Sequence, residues 1–156
     1  MGNNILRVVP YGYDTATGLD FKVVVAPLPG SLLLGGLEYA ADMVTLTTDL
    51  AVQASGLTYT YDSSKPPAQN LGAISRIDPS SVRVGGNPID PNAVYFVAMT
   101  DQVFNFLNAL TGGALQNFPT NVNEYTLVRD YMRSLRFVFY KSEGRIKDTA
   151  PVSSAK

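Results

Sequence analysis

Prolines and glycines cut this chain into short pieces before an apolar run can grow long. Among its 156 residues 10 are Pro and 13 are Gly, and the stretches Val23-Val24-Val25-Ala26 and Leu32-Leu33-Leu34 are stopped at once by Pro27, Pro29, Gly30, Gly35 and Gly36. A helix that crosses a bilayer needs roughly 20 apolar residues in a row, so no membrane span is expected. The punctuation instead permits short strands and modest helices joined by tight turns. With 46% hydrophobic and 16% charged residues, the chain is expected to bury a core as a single domain over residues 1–147, with a disordered tail over 148–156.

Local patterns place the elements. Phe21-Lys22-Val23-Val24-Val25 is rich in β-branched residues and predicts a strand stopped by Pro27 and Pro29. Ser31 stands where a helix N-cap belongs, and Leu32, Leu33, Leu37, Ala40, Ala41 and Val44 recur at helical spacing. Gly35-Gly36 inside that helix costs about 1 kcal/mol per glycine against alanine, which asks for close packing there. Leu57 to Tyr61 alternates as a half-buried strand does, and the loop Asp62 to Pro67 follows it. Ile74 to Val84 predicts two short extended pieces broken at Asp78-Pro79, and Gly85-Gly86-Asn87-Pro88 a turn. The unbroken apolar run Val94 to Met99 predicts a central strand. Val103, Phe104, Phe106, Leu107 and Leu110 predict a helix from Asp101 that Gly112-Gly113 stops. Asn123 to Leu135 is amphipathic, with Tyr125, Val128, Met132 and Leu135 on one face, and Phe137 to Tyr140 suits a last strand. Strands and helices alternate without a strict βαβ period, so the expected class is α+β, a mixed β-sheet with packed helices.

The chain has no Cys and no His, which removes disulfides, thiolate nucleophiles, Cys/His zinc sites and the commonest general base. A formal net charge of -1 gives no electrostatic signature for nucleic acid. No phosphate-binding loop, dinucleotide fingerprint or EF-hand loop is present. Asp14-Thr15-Ala16-Thr17-Gly18-Leu19-Asp20 offers oxygens at short spacing but lacks the terminal glutamate of a calcium loop, so a solvated turn is the better reading. Asp49, Asp62, Asp78, Asp90 and Asp101 lie beside predicted strand ends. Their Pro, Ser and Thr neighbours favour turn and cap roles over acid–base catalysis. Met1-Gly2-Asn3-Asn4 has neither the charge nor the apolar stretch of a signal peptide; an exported parent would carry its signal upstream.

Several longer segments carry a more specific signal. Ser55 to Pro67, reading SGLTYTYDSSKPP, resembles the "VSGLRYTYDPSRPPG" stretch of the 5'-nucleotidase family's C-terminal domain. Arg7-Val8-Val9-Pro10-Tyr11-Gly12 resembles its "VLPFGN", Pro29-Gly30-Ser31 through Leu37-Glu38-Tyr39-Ala40 its "LTGAELKEALEYA", Val84 to Ala98 its "VNGKPLDPDKTYTVA", and Ser142 to Ile146 its closing "EGRI". These segments follow the family's order from Arg7 to Ile146.

The resemblance implies a 5'-nucleotidase C-terminal domain-like fold in a two-domain hydrolase of nucleotide catabolism, in which an N-terminal metallophosphoesterase domain holds two divalent metals. The C-terminal domain of such a protein clamps the nucleoside between two phenylalanines. By that likeness this chain is the substrate-binding part, has no cofactor of its own, is inactive alone, and comes from a periplasmic, cell-surface or secreted parent. Phe106, in the Asn105-Phe106 pair before Gly112-Gly113, matches the second stacking phenylalanine, with two residues inserted between pair and glycines. Gln53 keeps a polar position that can meet a base edge. The first stacking position is Ala51, the ribose-binding aspartate is Ala114, and the "NGGGIR" segment would lie before Met1. For Phe106 core packing competes with ring contact, and for Gln53 a plain surface role competes with base contact. The alternative for the whole chain is a degenerate domain serving as a structural or surface-interaction module.

Overall fold

The computed structural model describes residues 21–46, 53–70, 72–135, 137 and 143–151. The expected Asp14–Asp20 turn, Asp49, Ala51 and residues 138–140 of the last expected strand lie outside them. The chain divides into two compact units, Met1–Leu28 with Tyr95–Tyr140 and Pro29–Val94 with Lys141–Lys156. The elements run β1 (Lys22–Pro29), α1 (Gly30–Val44), β2 (Leu57–Tyr61), a 3₁₀ turn (Pro79–Ser81), β3 (Arg83–Val84), β4 (Asn87–Pro88), β5 (Val94–Thr100), α2 (Asp101–Leu110), β6 (Phe118–Asn123), α3 (Glu124–Ser134) and β7 (Ile146–Asp148). The class is α+β.

In the first unit three strands pair in the order β5-β1-β6. β1 and β6 are antiparallel, with Lys22 opposite Asn123 and Val25 opposite Phe118. β1 does not stop at Pro27 as its sequence predicts; it runs to Pro29. Because β6 begins at Phe118, opposite Val25, Pro27 lies past the end of that ladder, where its missing N–H is not needed on that side. Val24, Ala26 and Leu28 alternate into the core at 4%, 0% and 2% exposure. β5 corrects a second expectation. It ends the sheet order among the described residues, and its burial alternates, leaving Val94 and Phe96 exposed. An apolar run alone does not distinguish a central strand from an edge strand.

The second unit is built on α1. The helix starts at Gly30, with Pro29 rather than Ser31 at the N-cap. Its first N–H groups, which have no partner inside a helix, donate to Ala93 O from Gly30 at 2.8 Å and to Pro91 O from Ser31 at 2.9 Å. That approach is so close that a Cβ on residue 30 would collide with the Asp90 carbonyl. At Gly35 a Cβ would meet Gly72 Cα at 3.6 Å, an ordinary contact. Of these two glycines, Gly30 at the head of the helix is the one that close packing demands. Leu34, Leu37 and Ala41 pack with Leu57, Tyr59, Ile77 and Val82 in one core cluster.

The second sheet has the order β4-β3-β2-β7. β3 and β4 form a hairpin whose turn residues Gly85 and Gly86 have φ of 58° and 84°, the two positive values that a tight primed turn demands. β2 is antiparallel to β3 and parallel to β7, so the sheet is mixed. β7 has no counterpart among the strands that the sequence predicts. It pairs Ile146 and Asp148 with Tyr59 and Tyr61, and Thr149 N–H continues the contact to Tyr61 O at 2.7 Å. Paired chain thus reaches into the stretch 148–156 expected as a tail, because Asp148 has a ladder partner on β2 and Thr149 a hydrogen bond to it.

A polar brace holds the loop after β2 onto α1. Glu38 is only 2% exposed; its two carboxylate oxygens accept the Arg76 and Ile77 N–H groups, each at 2.8 Å. Arg76, also buried, donates from Nε to Lys65 O and from one terminal nitrogen to Ala41 O and Thr45 Oγ1. Its Nε lies 3.3 Å from Asp42 Oδ1, an ionic contact without hydrogen-bond geometry. Burial pushes the Asp42 carboxyl up, and the Ala68 N–H and the Arg76 charge only partly counter it. Buried charges are tolerable when nearly every polar atom has a partner, and this cluster comes close to that condition.

Candidate functional site

The expected ligand-facing residues fall into two groups. The first sits on α2 and the turn that ends it. Thr100 caps the helix, its hydroxyl accepting from Val103 N–H at 3.4 Å, and Asp101 places a carboxylate in the first turn, where the positive end of the helix dipole stabilises it. Asp101 Oδ1 is buried without a hydrogen bond. Phe104 and Phe106 are two positions apart, which on a helix turns them to different faces. Phe104 enters the core at 4% exposure while Phe106 is 43% exposed. Core packing, which competes with ring contact for Phe106 in the sequence, is thus assigned by the structure to Phe104.

The end of α2 is made as its glycines require. Gly112 and Gly113 adopt φ of 73° and 83°, and their N–H groups return to Ala109 O and Asn108 O at 3.2 and 2.8 Å. Asn108 Oδ1 accepts Leu115 N–H at 2.9 Å, fixing the chain beyond the glycines. Asn105, Gly112, Gly113 and Ala114 are exposed. Asn105, Phe106 and the two glycines are thus brought together on one helix and its terminus, in the first unit.

Gln53 belongs to the second unit. It is exposed, in irregular chain just before β2. Ala54 O accepts a hydrogen bond from Arg145 at 2.8 Å and Gly56 O accepts one from Gly85 N–H at 2.9 Å, while Gly56 turns into β2 with φ of 72°. Arg145 is a residue that sequence reasoning does not single out. The signal for it lies in the closing Glu143-Gly144-Arg145-Ile146 segment, which holds a charged pair around a glycine beside an apolar strand residue.

Of the carboxylates suspected of acid–base work, Asp62, Asp78 and Asp90 have structural roles. Asp62 Oδ1 accepts from the Ser64 N–H and hydroxyl, Asp78 Oδ1 from those of Ser80, and Asp90 Oδ1 from Asn92 N–H. These are the turn and cap roles that their neighbours favour. The Ser80 hydroxyl and N–H hold Asp78 below the usual carboxylate range. Burial pushes Asp148 up, but hydrogen bonds from Ser63 and Ala150 and the Arg76 charge outweigh it and its net shift is downward. Tyr59, desolvated in the core beside Tyr61, is pushed up to about 12. Among the described residues no group of three or more carboxylate, His or Cys side chains is placed to hold a metal ion, and no helix is long and apolar enough to cross a membrane.

Solved structures of similar fold include a 5'-nucleotidase precursor from Thermus thermophilus, with a TM-score of 0.75 and 26% identity over 97% of this chain and 28% of that one. The Haemophilus influenzae NAD nucleotidase NadN matches with a TM-score of 0.67 and 19% identity over 97% of this chain and 26% of that one. The Thermus thermophilus sulfate thiohydrolase SoxB matches at 0.53 and 24%, over 83% and 23%. The chain thus spans about a quarter of the length of each of these relatives. A search of curated protein sequences finds no match. The sequence profile of the 5'-nucleotidase C-terminal domain matches residues 2–108, and since the fold agrees with it, the chain belongs to the 5'-nucleotidase C-terminal domain family.

Proposed function

We propose that this chain is the substrate-recognising part of a 5'-nucleotidase-type phosphohydrolase acting on a nucleotide or a related phosphoester. The observation that carries this reading is the 43% exposure of Phe106 on the helix that Gly112-Gly113 ends, while Phe104 of the same helix is buried. An exposed aromatic face can stack on a base, at about 1–3 kcal/mol per ring. Gln53 is the proposed partner for the base edge. The chemistry would come from an N-terminal metallophosphoesterase domain with two divalent metals, whose role is to activate a water and polarise the phosphate. The described residues do not fit a metal, so no step is assigned to this chain beyond binding and orientation. A periplasmic, cell-surface or secreted parent accords with the family.

A single aromatic plate contributes a few kcal/mol at most, and association consumes several, so isolated binding is expected on the order of millimolar. NMR titration of the 156-residue chain with AMP tests this. Shifts at Phe106 and Gln53 that Phe106→Ala abolishes support the reading; a titration that moves neither residue refutes it. A second reading, a module that keeps the fold without binding nucleotide, is favoured by the Ala at 51 and 114, where the resemblance implies the other stacking ring and the ribose carboxylate.

A further inference from the structure

Resting on the reading that Gln53 meets the ligand, we propose that Arg145 is a positioning residue for Gln53, acting through the carbonyl of Ala54. Gln53 and Ala54 precede β2 and have no ladder of their own. Ala54 packs against the core cluster, and bonds from elsewhere in the unit fix the backbone there. One comes from Gly85 N–H to Gly56 O, three residues beyond Gln53. Another comes from the Arg145 guanidinium to Ala54 O at 2.8 Å, across 91 residues of sequence. That bond fixes the peptide plane immediately after Ala54, one residue from the side chain that would face a base.

The geometry suits a guanidinium. Arg145 is itself held at both ends. Its backbone carbonyl accepts Tyr59 N–H at 2.9 Å where β7 joins β2, and its Nε lies 3.0 Å from Glu143 Oε2. The planar fork can therefore engage a carboxylate with one edge and aim a terminal N–H at Ala54 O with another. Lysine offers a single mobile ammonium and cannot hold both. The Glu143 carboxylate is largely exposed, so its part is to orient the fork rather than to add stability.

The test uses AMP as the probe and the whole chain as the protein. Gln53→Ala, Arg145→Met, Arg145→Lys and the Gln53→Ala/Arg145→Met double variant are titrated by NMR, with amide exchange measured alongside. Gln53→Ala is expected to weaken AMP binding about fivefold, as loss of one hydrogen bond would. Arg145→Met should weaken it to a similar degree, Arg145→Lys less, and Arg145→Met should add nothing once Gln53 is gone. Exchange at Ala54 and Ser55 should rise about tenfold in Arg145→Met while Tyr59 to Tyr61 stay protected. Should Arg145→Met not fold, Arg145→Lys carries the same comparison. If Gln53→Ala leaves AMP affinity unchanged, the functional reading of Gln53 fails and the proposal with it. If Gln53→Ala weakens binding and the Arg145 variants do not, or the two effects multiply independently, the positioning role alone is overturned.

Discussion

In the second unit a single helix of 15 residues buries Gly30, Leu34, Gly35, Leu37, Glu38, Ala40 and Ala41. In the first, helices of 10 and 11 residues bury Phe104 and nothing else. The exposed large apolar side chains show the converse. Val103, Phe106, Leu110, Phe118, Leu127 and Tyr131 of the first unit are each at least 37% exposed, whereas among the described residues of the second unit only Leu46 and Val94 fall in that class. The second unit spends its apolar residues on its own interior and adds a buried ionic brace. The first leaves more of its large apolar side chains exposed. Core burial is thereby concentrated in one stretch of sequence and apolar exposure in another.

The strongest way to break this contrast is at Glu38. Glu38→Ala removes the acceptors of two buried N–H groups, so urea unfolding should show a loss of about 3–5 kcal/mol. A loss below about 1 kcal/mol would mean that the brace is not supporting the second unit. Next comes a matched pair. Leu37→Ala, at 4% exposure, should cost about 2–4 kcal/mol through lost transfer energy and a cavity. Leu127→Ala, at 51% exposure, should cost about 0.5 kcal/mol or less; similar values for the two would erase the distinction.

The pH dependence is a third test. Burial raises Tyr59 from 10.0 to about 12, so the folded state keeps its proton where the unfolded chain has lost it. The stabilisation is complete below pH 10 and disappears as pH climbs toward 12, a loss on the order of 2 kcal/mol. Tyr59→Phe should flatten that decline, and denaturant midpoints at several alkaline pH values measure it. The smallest effect is expected at Phe106: Phe106→Ala should change the unfolding free energy by less than about 1 kcal/mol while removing the AMP-induced shifts. A large stability loss there would place the ring in a structural role.

How much of this is legible in the sequence varies with how local the cause is. β2, α2 with its Gly112-Gly113 end, and α3 follow from alternation, helical spacing and the glycine stop, all contained within a few residues. β6 escapes such reading because Phe118-Pro119-Thr120-Asn121-Val122-Asn123 carries a proline and two asparagines, and its pairing with β1 supplies what its own propensity lacks. β7 has three residues and exists only against β2. Glu38 leaves a readable sign, since it falls on the same helical stripe as Leu34, Leu37 and Ala41 and an acid there calls for a buried partner. Nothing local identifies Arg76 as that partner, 38 residues away. In α2 the pattern cannot choose between Phe104 and Phe106 for the core, because both suit the helix and its own periodicity does not fix which face is buried.

The pairing of β7 with β2 also sets an order of events during folding. β3 and β4 can zip within a few residues of each other, but Thr149 reaches Tyr61 across 88 residues, a span of sequence that includes the first unit's second segment, Tyr95–Tyr140. Closing so long a loop is entropically slow and its reward arrives late. On the ribosome, therefore, the second unit waits with one sheet edge unpaired until residue 149 has emerged. The loop bearing Gln53 stays loose until then, since Arg145 is made almost as late.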